Sequence, residues 1–278
     1  MSTELLVKVG CLFGFFVSYN LWLLFFPVTK REIYDNVERT EEFLFSGKKH
    51  DCVLVGSGLI GTMETAAFNH AFKLYFPYYG SCTGLEIIAL SGKIPAILLV
   101  ETNYIFKGIN EELIDRVFTK HAGLKRYLPF LLRKHQPLNL IKTHLKQLLR
   151  KDKKAAGPVE AAKNEQALAV FIDLYKDRPE QHKFFNDINH LKSNIELVVS
   201  KGCEVIFFES PMDPVLEDAP LFHFQRQALR EMFSENDFRW IRADQHDAYE
   251  TEDGIHLTHN SLQKFTKYIE AQISEVIV

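Results

Sequence analysis

Five short apolar runs limit what this chain can fold into: "CVLVGS" (52–57), "KLYFPY" (73–78), "AILLVET" (96–102), "EVIFFES" (204–210) and "FRWIRA" (238–243). Each is the length of a strand. Segments of helical character separate several of them, such as "GLEIIALSG" before the third and "HLKSNIELVVSKG" before the fourth. Near-continuous apolar strands are buried on both faces, and their alternation with helices makes the sheet parallel. The expected fold is α/β, a five-stranded parallel sheet in an α/β/α sandwich. Such sheets bind ligands at the carboxyl ends of their strands.

Ahead of the sheet, "VGCLFGFFVSYNLWLLFFPV" (9–28) carries no charge, and Leu5–Val7 extend the apolar run beyond Lys8. About 20 apolar residues are needed for a helix to cross a bilayer, so residues 9–28 are expected to anchor the chain in a membrane. The run is long for a cleaved leader, and no A-x-A-like site follows it. Asn20 is a polar blemish, while Tyr19 and Trp22 suit an interface. Lys8 precedes the run and Lys30, Arg31, Arg39, Lys48 and Lys49 follow it, so a literal positive-inside count leaves the large domain in the cytoplasm.

The expected division is an anchor at 1–30, a polar linker helix at 31–50 and an α/β domain at 51–278. That domain carries a helical insertion at about 104–190, too long for a bare loop. From Lys120 to Lys154 the insertion holds eleven Lys/Arg against the single Asp152. Leu138, Ile141, Leu145, Leu148 and Leu149 fall at helical spacing, either as a membrane-surface helix with an anionic partner or as a packed helix with a solvated basic face. A net charge of -3 names no partner, and no nucleic-acid-binding motif is recognisable. Cys11, Cys52, Cys82 and Cys203 lack paired-motif spacing, so no disulfide framework, metal or cofactor is signalled.

The turn after the first strand, Gly56-Ser57-Gly58-Leu59-Ile60-Gly61, satisfies G-x-G-x-x-G. In a dinucleotide-binding domain those glycines let a pyrophosphate approach a helix N-terminus. The accompanying acid about 20 residues on is missing, because "LYFPYYGSCTG" offers none before Glu86. Another set of residues lies at the strand ends. Gly80 follows strand two, Asn103 follows strand three, and Asp253-Gly254-Ile255-His256 precedes the last helix.

This set resembles the SGNH/GDSL hydrolase family across most of residues 51–278. The resemblance implies a membrane-anchored esterase or O-acyltransferase acting on an acylated envelope glycan or lipid, with the catalytic domain outside the cytoplasm. It further implies backbone N–H donors at Gly58 and Gly80 and the Asn103 amide as an oxyanion hole, His256 as general base, and Asp253 as its orienting carboxylate. Aligned on the family's G-D-S-L or G-S-S-L turn, however, the nucleophile position is Gly58, and Ser57 fills the preceding slot. Glu101 replaces the glycine of the usual G-x-N-D, and Tyr104 its last residue. Three readings stay open: Ser57 acts after a one-residue shift, the domain is a non-catalytic binding or scaffold module, or Gly58 replaces a natural serine.

Overall fold

The computed structural model describes residues 2–25, 35–64, 71–119, 122–136, 163–243 and 249–274. It contains two compact units, Met1–Gly47 with Asp115–Gly157, and Lys48–Ile114 with Pro158–Val278.

The second unit is the α/β sandwich. Strands β1 (Cys52–Gly56), β2 (Phe72–Tyr75), β3 (Ile97–Glu101), β4 (Glu204–Phe208) and β5 (Arg239–Ile241) form one sheet in the order β2-β1-β3-β4-β5, every pair parallel. Each expected run overlaps one of these strands, and β2 begins one residue ahead of its run, at Phe72. The order reverses direction between β1 and β3, which opens a crevice at their carboxyl ends.

Burial follows the period-two geometry of strands. Leu54, Leu99, Ile206, Phe208 and Ile241 share a cluster with Phe265, Ile269 and Ile273 of the C-terminal helix, His259–Ser274. Val53, Val55, Leu98, Val100 and Phe207 are equally buried. Helix Ser81–Ser91 approaches Val55 so closely at Gly84 that an added Cβ would lie 3.0 Å from its Cγ1. This helix is tied to helix Gln181–Ser200 through Glu86, whose carboxylate accepts from Asn194 Nδ2 (2.8 Å) and meets His190 Nε2 (2.5 Å).

The first unit is built on helix Thr3–Phe25, which is long and apolar enough to cross a membrane. A second helix, Asn36–Phe45, starts where Asp35 accepts the Val37 and Glu38 N–H groups. Three short 3-10 segments, Ala122–Arg126, Pro129–Leu131 and Arg133–His135, belong to it as well. Among the described residues of the basic segment, three cations are paired: Lys125 with Glu41 (2.8 Å), Arg133 with Asp35 (2.8 Å) and Lys134 with Glu42 (2.5 Å). The amphipathic stretch Leu138–Leu149 lies outside the described residues.

Phe265 is fully buried and packs edge-on against Tyr249, with centroids 5.7 Å apart. Truncating it leaves a cavity that the sheet above cannot collapse into. Phe265→Ala is expected to destabilise the α/β unit by about 3–5 kcal/mol, read from the denaturant midpoint of the purified chain.

Candidate active site

Strand β1 ends at Gly56, and the chain enters a 3-10 turn, Gly58–Thr62, capped by Ser57. The Ser57 hydroxyl accepts the Leu59 N–H at 3.2 Å, and the residue is 3% exposed. The three glycines of this motif differ in what they need. A Cβ at Gly56 would lie 2.6 Å from Glu101 Oε2, and one at Gly61 would lie 2.7 Å from the Tyr75 ring, so packing demands glycine at both. A Cβ at Gly58 would meet nothing nearer than Pro77 Cα at 3.7 Å, ordinary van der Waals contact, and its backbone is outside the left-handed region. The position where the resemblance expects a nucleophile is therefore the one glycine of the three that sterics do not require.

Glu101, at the end of β3, is fully buried and joins two turns. Its Oε2 accepts the Ser57 N–H at 2.5 Å and its Oε1 accepts the Asn103 N–H at 3.1 Å. Burial pushes its carboxyl up to about 7, against the pull of hydrogen bonds from the Ser57 backbone, the Ser57 side chain and the Asn103 backbone; the Glu209 charge adds a smaller push upward. Below it, the Ser81 hydroxyl donates to the carbonyls of Val55 and Glu101. The Asn103 amide is engaged in both directions with Ser210, donating to its carbonyl and accepting its N–H, each at 2.8 Å. Gln225 donates to the carbonyls of Thr102 (2.7 Å) and Asn103 (3.1 Å) and accepts the Phe106 N–H.

The Asp253–His256 turn supplies the titratable pair. Asp253 Oδ1 accepts the backbone N–H of Ile255 (3.0 Å) and of His256 (2.8 Å), while Oδ2 meets His256 Nδ1 at 2.8 Å. Partial burial pushes the Asp253 carboxyl up, but the bonds from His256 and Ile255 outweigh it and hold the group below its ordinary range. The carboxylate thus fixes the ring by Nδ1 and leaves Nε2 for proton transfer. Ile255 pins the turn by burying its side chain in a cluster with Leu59, Leu168, Tyr175 and Phe222.

Ser57, Gly58 and His256 line one cavity of about 430 Å³, walled mainly by aromatic and aliphatic groups that include Tyr79, Tyr104, Phe171, Leu174 and Tyr175. Lys107 contributes a cation to it. Burial first, and then the neighbouring Tyr175, raise the Tyr104 phenol well above its ordinary value, so its hydroxyl stays protonated. Tyr78 belongs to the same lining, is 91% exposed and has a φ of 70°, a conformation costly for a bulky side chain. Asn103 and Gly80 are not part of that lining. Asn103 is fully buried, and Gly80 lies so close to the Tyr104 carbonyl that a Cβ there would come within 2.2 Å of its oxygen.

The glycine turn offers little to a dinucleotide. Its first N–H, at Ser57, is held by a buried carboxyl group, and the following helix is a 3-10 segment of five residues. The sequence singles out Glu101 only as a departure from a pattern, and its bridging position depends on tertiary packing. Ser210, Gln225, Phe171 and Tyr175 carry no local signal, because their partners lie far away along the chain. Tyr78 stands in an unremarkable Pro-Tyr-Tyr-Gly run, and its φ is visible only in three dimensions.

No protein-family profile matches the chain, and no curated protein does. Among solved structures, one described as "a putative platelet activating factor from Streptococcus pneumonia" is similar at 12% identity and a TM-score of 0.42. The alignment covers 98% of this chain and 100% of the other.

The buried Glu101 makes stability depend on pH. Between its ordinary value of 4.5 and about 7 the folded chain keeps a proton that the unfolded chain has lost, so stability falls as pH rises across that interval. Denaturant midpoints are expected to decline from pH 4.5 to pH 7, and Glu101→Gln, which cannot ionise, is expected to flatten the decline.

Proposed function

We propose that this chain is a membrane-anchored SGNH-like module that receives the acyl group of an acylated envelope glycan or lipid, and that it binds this ligand without turning it over. The carrying observation is the disposition of the only serine in the turn. Ser57 caps its own turn through Leu59 and bonds to Glu101, while Gly58 leaves the expected nucleophile position without a side chain. A serine hydroxyl becomes a nucleophile when a base takes its proton. Among the described residues, the ring partner of His256 is Asp253, and Ser57 is bonded elsewhere. The aromatic walls favour an acyl chain, and Tyr78 offers an exposed flat face against which a sugar ring can stack.

One observation favours a second reading, that of an esterase or O-acyltransferase. The Asp253–His256 pair keeps the geometry of a general base, and His256 lines the same cavity as Ser57. Under either reading an envelope ligand requires the α/β unit outside the cytoplasm, with helix Thr3–Phe25 as its anchor.

A reporter-bearing fluorophosphonate is expected to leave the natural chain unlabelled, and p-nitrophenyl acetate is expected to be hydrolysed no faster than in buffer. Gly58→Ser is expected to introduce both labelling and turnover, and adding His256→Ala is expected to abolish them. Labelling of the natural chain at Ser57 would overturn the binding-only reading. Tyr78→Ala is expected to weaken binding of an acetylated oligosaccharide about tenfold while leaving the unfolding midpoint unchanged, as fits the loss of one stacked aromatic face.

A further inference from the structure

The described part of the basic segment, residues 122–136, is fastened to the apolar N-terminal helix well inside its downstream end. Asn20 is 8% exposed. Its side-chain oxygen accepts the Phe130 N–H at 3.3 Å, and its nitrogen donates to the Phe16 carbonyl at 2.9 Å. The Phe16 and Phe130 rings pack edge to face with centroids 4.6 Å apart, and the Tyr19 hydroxyl donates to the His135 carbonyl at 2.5 Å.

These contacts fix a depth. At about 1.5 Å per residue, the 23-residue helix Thr3–Phe25 is ~34 Å long. That length barely exceeds the ~30 Å of a bilayer's hydrocarbon. If it spans, little of it is left over, and Phe16, Tyr19 and Asn20 lie ~8–14 Å inside the end at Phe25. Whatever is bonded to them sits below the lipid headgroups of that leaflet.

The segment is equipped to leave water. From Tyr127 to Leu132 every N–H the chain possesses is bonded: Tyr127 and Leu128 to the Leu124 carbonyl, Phe130 to Asn20, Leu131 to the Leu128 carbonyl and Leu132 to the Pro129 carbonyl. N–H groups so satisfied lose less on entering hydrocarbon than free ones would. Of its four cations, Lys125, Arg133 and Lys134 are paired with Glu41, Asp35 and Glu42, Arg126 is exposed, and the Arg133 N–H is bonded to Glu41 at 2.7 Å. Meanwhile Leu124 is 49% and Tyr127 76% exposed, apolar and amphipathic surface turned outward.

We propose that residues 122–136 form a wedge buried in the acyl region of the leaflet where the span ends, with Asn20 as its tether. The inference rests on the reading of Thr3–Phe25 as a span. Its partner is the lipid bilayer itself, engaged through burial of apolar surface rather than through attraction of Lys and Arg to anionic headgroups.

The test uses the full chain carrying Cys11→Ser in phosphatidylcholine vesicles, with single cysteines labelled by bimane. Burial pushes the thiols of Cys52, Cys82 and Cys203 up to about 12, so they react poorly. Labels are placed at Leu12→Cys in the helix, at Tyr127→Cys in the wedge, and at the exposed Val215→Cys of the α/β unit. With lipids brominated near the headgroup end of the acyl chain, position 127 is expected to lose most of its fluorescence, in low and high salt alike. Position 12 is expected to be quenched by bromines deeper in the chain, and position 215 by neither. Quenching at 12 without quenching at 127 overturns the wedge and leaves the span standing. Absence of quenching at both overturns the span and the wedge together. Adding Asn20→Leu is expected to relieve quenching at 127 and not at 12; unchanged quenching at 127 overturns the role of Asn20 as tether.

Discussion

A single carboxyl group, that of Glu101, holds the carboxyl-terminal edge of the sheet in its observed form. It sits at the crevice between β1 and β3, receives the N–H of Ser57 from one turn and of Asn103 from the other, and is sealed from water. Two neutral donors compensate a buried carboxylate only in part, which is why burial dominates its titration. The glycine at 56 follows from the same contact, since the carboxylate occupies the space that a Cβ would need. The Ser57 turn, the wall of the cavity and the placement of Asn103 all follow from this one group.

Around it, the polar groups of the site divide into two sets. The side chains of Asn103, Gln225 and Ser81 bond backbone groups in the interior, Asn103 with both the N–H and the carbonyl of Ser210, as buried polar groups must. His256 faces the cavity with one imidazole nitrogen held by Asp253. The first set gives rigidity, and the second keeps a proton acceptor beside an apolar pocket. A binding module has no evident need of an oriented imidazole, so this pair is the feature that most clearly sets the site apart from an inert cleft.

How much was legible beforehand depends on the range of the interaction. The five strands announce themselves because their burial on two faces is written in consecutive residues, and the parallel sheet follows from the helices between them. The Asp253–His256 pair is equally local, three residues apart on one turn. Asn103 was recognisable by its position after β3, yet its side-chain commitment to Ser210, 107 residues away, was not. The same holds for Asn20, which reads as a flaw in an apolar helix until the Phe130 N–H is brought to it. Polarity at a buried position can be judged only with its partner in view.

That tether has a consequence for how the protein is made. Asn20 and Phe130 are 110 residues apart. During synthesis the apolar helix emerges long before its partner leaves the ribosome. For that interval the Asn20 amide has only its own helix to bond to, with the Phe16 carbonyl for one N–H and nothing designed for its oxygen. The burial of Asn20 is therefore completed in two stages, and the helix is finished only when a later stretch of chain arrives to close it.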